Sequence, residues 1–227
     1  MSSSTSRFTR WFFVSLALAR IAWAADAPVG RWRIMPVGDS ITEGGATFSN
    51  YRPLLAEKLR AAGIAFEFVG TRGTAQLRHE GYGGKNVEFL AVTVPAHFGK
   101  NPADIVLLHA GHNHFAEAQP IPGMLAATER LIASFRATNP QVIILLAQVI
   151  PAGKLPKYSY IPELNTALAP LATRLHTAAQ PVIIVDQATG FDWRTDTIPD
   201  LVHPNAAGAA KMAQRWFETL KSIPHLL

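Results

Sequence analysis

The chain contains no cysteine. That excludes disulfides, thiol nucleophiles and thiolate metal sites. Charge is sparse as well, at 16% of residues, and no basic stripe runs along the sequence. The apolar run over residues 11–19 is too short to span a bilayer. No internal repeat, low-complexity segment or second domain is visible. The G-x-S-x-G signature of a nucleophile elbow is missing too, which argues against the α/β-hydrolase fold. What remains is 227 residues, 48% of them hydrophobic. That suits one globular domain, which at this length buries roughly 70% of its extended-chain surface.

The first 24 residues read as a signal peptide. Arg7 and Arg10 form a positive region, residues 11–19 an apolar one, and Ala22-Trp23-Ala24 a small-residue cleavage site. Cleavage is expected after Ala24, leaving residues 25–227 as the mature domain, secreted or periplasmic. Cleavage would remove Arg7, Arg10 and Arg20 and no acidic residue. The balance moves from 21 basic against 16 acidic residues to 18 against 16, and the net charge from +5 to +2. The basic character therefore belongs to the export segment. Neither a nucleic-acid partner nor membrane contact after cleavage is expected.

Beyond it, short β-like runs alternate with helical stretches. Strands are expected over residues 32–37, 65–69, 104–110, 141–150 and 181–186. Asn50 is placed to cap a helix that stops at Gly63, and weaker periodicity predicts another over residues 86–98. Further helices are predicted over 122–138 and 161–178, and a last one from Pro204, a residue favoured in a first turn, to Leu220. This alternation predicts right-handed crossovers and a parallel sheet covered on both faces. Ligands of such sheets bind beyond the carboxyl ends of the strands. Ser40, the segment from Gly111 to His114 and the segment from Asp186 to His203 all follow strands, so they should meet on one edge.

The stretch Gly38-Asp39-Ser40-Ile41-Thr42-Glu43-Gly44 follows the first strand and admits two readings. A serine on a sharp turn after a central strand is exposed and fixed, as a nucleophile must be. Ser40-Ile41-Thr42-Glu43 also fits S-x-x-E, a helix capping box. The balance shifts with Asp200 and His203, three residues apart at a helix entrance. An ester-cleaving serine needs a base, a carboxylate that orients the base, and donors for the developing oxyanion. Each part has a candidate in this chain.

Gly38-Asp39-Ser40-Ile41-Thr42 resembles block I of the SGNH (GDSL) hydrolases, and the run from Asp200 to Gly208 resembles their block V. Ile34-Met35-Pro36, Tyr51-Arg52 and His79-Glu80-Gly81 are similar to the acetylxylan esterase branch, carbohydrate esterase family 3. The resemblance implies a flavodoxin-like three-layer α/β/α sandwich with a five-stranded parallel sheet. It also implies roles. Ser40 is the nucleophile and its N–H an oxyanion donor. Gly84 is the second donor, with Gly83 one register away, and Asn113 is the third. His203 is the general base, held by Asp200. No cofactor is implied. The expected activity is removal of small acyl groups, acetyl above all, from oligo- or polysaccharide. The family's lysophospholipases and thioesterases remain an alternative, as does a non-catalytic carbohydrate binder on this fold.

One departure stands out. The family's third block is usually Gly-Thr-Asn-Asp, whereas this chain has Gly111-His112-Asn113-His114. His112 and His114 are expected to shape the substrate pocket. His109, His112 and His114 lie close in sequence, but no nearby carboxylate has an obvious ligand spacing, so no metal is expected. Aromatic sugar platforms are sought among Tyr82, Phe115, Tyr158, Tyr160 and Trp193, with Trp193 and Tyr82 taken forward as substrate-binding.

Overall fold

The computed structural model describes residues 30–226. The proposed signal peptide lies outside these residues. The chain begins with β1 (Trp32–Gly38), a nearly continuous apolar strand. Around it lie β2 (Phe66–Phe68), the two-residue β3 (Glu80–Gly81), β4 (Ile105–His109), β5 (Ile143–Gln148) and β6 (Val182–Asp186). All pairings are parallel, in the order β2-β1-β4-β5-β6, with β3 added beside the carboxyl end of β1. The five expected strands are present, and β3 is an addition that no apolar run announced.

The period of a strand explains the layers. Successive side chains point to opposite faces. On one face Met35, Val37, Val106, Leu108, Ile144 and Leu146 join a buried cluster. It is completed by α3 (Val87–Lys100), α4 (Ile121–Thr138) and α5 (Ile161–Leu175). On the other face Ile34, Ile105, Leu107, Ile143 and Leu145 pack under α2 (Tyr51–Ala61) and α7 (Ala206–Lys221). Strands buried on both sides read as unbroken apolar runs, which is why these were legible in the sequence. Three short turns complete the fold, α1 (Ser40–Glu43), α6 (Trp193–Asp196) and a 3-10 turn at Ala116–Ala118.

Capping explains most boundaries. Asn50 caps α2 through its side chain and Asn86 caps α3. α3 carries Pro95 within it and is held by the buried face of Val87, Leu90, Val94 and Phe98. The last helix differs from expectation. It starts at Ala206, and Pro204 instead bridges back to Thr197. The reason is Asn205. Its Oδ1 accepts the Gly208 N–H at 3.0 Å, and its amide donates to the carbonyls of Thr195 and Thr197 at 2.8 and 3.2 Å. One side chain thus starts α7 and ties it to the loop leading into His203.

Asn205→Ala should therefore cost about 2 kcal/mol or more, the upper end for a cap because two further bonds go with it. Asn50→Ala should cost about 1 kcal/mol. Urea denaturation of both variants checks this, and equal losses would show that the two amide bonds of Asn205 contribute nothing.

Candidate active site

β1 ends at Gly38, where a Cβ would sit 2.3 Å from the His109 carbonyl and 2.4 Å from Thr42 Oγ1. Only glycine lets β4 and the next turn close on this point. Asp39 then caps α1, its Oδ1 accepting the Ile41 N–H at 3.0 Å. The capping-box reading of Ser40 and Glu43 is thereby replaced. Ser40 has no capping duty. The Glu43 carboxylate leaves the turn, accepts the Gly83 N–H at 2.7 Å and pairs with Arg72. Buried Arg52 secures the other end of the turn. Its guanidinium donates to the carbonyls of Thr42 and Glu43, each at 2.7 Å, and to that of Leu77.

His203 arrives from the opposite side of the cleft. Asp200 Oδ1 accepts the N–H groups of Val202 and His203, both at 2.9 Å. Leu201 takes the left-handed conformation, φ +61°, to close this tight turn. The second oxygen of Asp200 lies 2.5 Å from His203 Nδ1, and His203 Nε2 lies 2.8 Å from Ser40 Oγ. Phe48 stacks on the imidazole, centroids 4.2 Å apart. Burial pushes the Asp200 carboxyl up. The bonds from the His203 ring and the two N–H groups outweigh it, so the group sits below the usual carboxylate range. An ionised carboxylate, an oriented imidazole and a hydroxyl are therefore in line.

Ser40, Gly84 and Asn113 border one cleft of about 370 Å³ together with Asp200 and His203. The two glycines of the loop differ in hydrogen bonding. Gly83 spends its N–H on Glu43. Gly84, at φ +71°, makes no such bond among the described residues. Asn113 is also left-handed, φ +68°, and donates one amide hydrogen to the Lys85 carbonyl at 3.0 Å. A primary amide has two donors, so the second is available to a ligand.

The remaining residues singled out in the sequence divide. His112 forms part of the cleft wall. Trp193, Tyr82 and His114 are not among the residues bordering it. Trp193 lies against Gly153 and carries the Arg194 guanidinium over its ring at 4.1 Å. Tyr82 donates to Glu80 at 2.6 Å, and burial followed by that carboxylate pushes its hydroxyl up to about 12. His114 Nε2 lies 2.8 Å from Glu88 on α3. Conversely, Phe48, Lys154 and Val202 border the cleft without having been singled out for it, and Tyr158, sought as a sugar platform, borders it too. Lys154 lies in the loop after β5, whereas Phe48 and Val202 follow the single turns α1 and α6. A larger concavity of about 450 Å³ lies by edge strand β2, lined by Arg31, Arg60 and Phe66, but no nucleophile faces it.

The oxyanion-side loop is held by buried His79, whose Nδ1 accepts the Gly81 N–H at 2.9 Å. Burial, then the charges of Arg52 and Arg72, lowers its pKa to about 3. An unfolded histidine titrates near 6.5. Between those values the unfolded chain binds a proton that the folded chain refuses, so stability falls as pH is lowered. The expected loss from His79 between about pH 7.5 and about pH 5 is roughly 2 kcal/mol. His79→Asn keeps an acceptor for Gly81 and should shrink the loss by that amount in urea titrations at both pH values. An unchanged loss would show that His79 takes up its proton in the folded state.

Residues 37–211 match the GDSL-like lipase/acylhydrolase family. Among solved structures, a carbohydrate esterase family 3 protein from Talaromyces cellulolyticus superposes with TM-score 0.75 at 26% identity, over 84% of this chain and 96% of that one. A family 3 carbohydrate esterase from Clostridium thermocellum gives 0.70 at 28% identity, over 83% and 94%. A multidomain esterase of Ruminococcus flavefaciens is 24% identical over 251 positions. The match covers 92% of this chain but 31% of that protein, so the chain spans about a third of its relative. With an Asp–His–Ser array at the carboxyl end of a parallel sheet and a family match running from β1 into α7, the chain belongs to the GDSL-like (SGNH) lipase/acylhydrolase family of esterases.

Proposed function

We propose that the protein is an exported serine esterase that removes acetyl groups from carbohydrate by way of an acyl-enzyme on Ser40. The observation that carries this reading is the hydrogen-bonded series Asp200–His203–Ser40, at 2.5 and 2.8 Å, opening onto the cleft. His203 Nε2 takes the Ser40 hydroxyl proton as Oγ attacks the ester carbonyl. Asp200 stabilises the imidazolium that forms. The carbonyl oxygen becomes an oxyanion and is met by the N–H groups of Ser40 and Gly84 and by the free amide hydrogen of Asn113. Collapse expels the sugar alkoxide, which takes the proton from His203. Water, deprotonated in turn by His203, then releases acetate and restores Ser40.

The size of the acyl group is argued from space. The cleft holds about 370 Å³, and Phe48, Tyr158 and Val202 narrow it. That is near the lower end for ligand pockets, which run from about 300 to about 1,000 Å³, and it must also admit part of the alcohol. A short acyl group fits this better than a fatty one. The carbohydrate half of the reading is supported by the two matched family 3 carbohydrate esterases. Export rests on Arg7, Arg10, the apolar run after them and Ala22-Trp23-Ala24.

Acetate release from acetylated xylan and from p-nitrophenyl acetate should both be lost in Ser40→Ala, by about 10⁴-fold or more. Ser40→Ala combined with His203→Ala should be no worse than Ser40→Ala alone, because the two act as one unit. Rates should fall from acetyl to butyryl to octanoyl esters. Rates that rise along that series would favour a lysophospholipase or thioesterase, and a fully active Ser40→Ala would end the serine mechanism.

A further inference from the structure

Directly beneath the nucleophile turn, Asp39, His109 and His112 converge at 1%, 0% and 2% exposure. The β1–β4 pairing sets Gly38 opposite His109, which brings the first two together. Each of the three residues offers one ligand atom, and these atoms all lie within 4.8 Å of one another. The carboxylate that the histidine spacing appeared to lack is thus supplied from 70 residues upstream of His109, beside the nucleophile.

The cluster's hydrogen bonding is incomplete. Asp39 Oδ1 takes the Ile41 N–H, but Oδ2 has no donor. Neither ring nitrogen of His112 has a partner, and nor does His109 Nδ1. His109 Nε2 stands 3.4 Å from the Ile150 nitrogen, beyond the usual range of about 2.7–3.2 Å. Buried polar groups are nearly always satisfied, so orphaned atoms gathered at one point call for a ligand or an ordered water.

Distance discriminates between a proton and an ion at this point. A charged imidazolium–carboxylate bond runs about 2.7–2.9 Å. Asp39 Oδ2 and His112 Nδ1 are 3.6 Å apart. Two ligands of one tetrahedral zinc, each about 2.0–2.1 Å from the metal, stand roughly 3.3 Å apart. Charge points the same way. The only ion-pair partner of Asp39 among the described residues is His112, and no Lys or Arg reaches it. Two imidazoles and a carboxylate form a donor set that zinc accepts with a fourth position open. His112 also lies in the wall of the cleft, with both ring nitrogens turned away from solvent.

We infer that Asp39, His109 and His112 form a binding site for one divalent transition-metal ion, zinc foremost. Three protein ligands leave the fourth position to water, and the ion's effect would be on the placing of the loops. Asp39 caps the turn that carries Ser40, and His112 precedes Asn113, so one ion would tie both sides of the oxyanion site together. The proposal stands apart from the ester chemistry, since no step of that chemistry passes through the ion.

The test is metal content and uptake of the tag-free protein. Elemental analysis of protein purified without chelator should find about one zinc per chain. Chelator-stripped protein should take up one equivalent of Co²⁺ with the intense visible bands of tetrahedral coordination. Its melting temperature should rise on adding zinc. Asp39→Asn, which keeps the cap acceptor, and His112→Gln should each lose the zinc and the cobalt bands while circular dichroism reports a folded chain. Wild type without stoichiometric metal, cobalt bands or a thermal shift would overturn the proposal. So would uptake that survives in both variants, which would place the ion elsewhere.

Discussion

The site depends on which residue caps a single turn of helix. The turn after β1 needs an acceptor for its first N–H groups, and Asp39 and Ser40 both carry an oxygen that could serve. Asp39 takes the Ile41 N–H, because its carboxylate sits one residue earlier and β4 closes over Gly38 on the far side. Ser40 is left with an uncommitted hydroxyl aimed out of the sheet edge, 2.8 Å from His203. Had Ser40 capped the turn, its oxygen would have been spent on the backbone and no nucleophile would face the cleft.

The residues that hold this arrangement are mostly polar and buried, which is costly unless each finds a partner. Arg52 finds three carbonyls, Glu43 finds a backbone N–H and Arg72, and His79 finds Gly81. These bonds orient the nucleophile turn against the loop carrying Gly84. The cluster under the turn is the exception, and its open valences set it apart from its neighbours.

The altered third block gains a rationale from the same geometry. His114 turns to Glu88 and ties the block to α3, while His112 turns inward to Asp39. The two replacements therefore do different work although they flank the same asparagine. The backbone of Asn113 between them is left-handed, φ +68°.

Fold class and the Ser40, Asp200, His203 set were legible because they rest on local signals. Apolar runs of strand length mark β1, β4 and β5, and Asp200 and His203 lie within one turn's reach of each other. Trp193 read as a platform because it precedes Asp200 in the chain, yet packing laid it against Gly153. Phe48 carried no motif and Arg52 only its place in Tyr51-Arg52; what they do comes from contacts with His203 and with three carbonyls. The sequence alone determined that a parallel sheet would deliver a serine, a histidine and a carboxylate to one edge, since strand periodicity and turn-length spacing are properties of neighbours in the chain. Only the tertiary structure decided that Asp39 rather than Ser40 takes the cap, that Gly84 rather than Gly83 keeps a free N–H, and that Asp39 meets His109 and His112. Each of those outcomes is a competition for hydrogen bonds between residues far apart in the chain, which the close approach of β1, β4 and the glycine loop resolves.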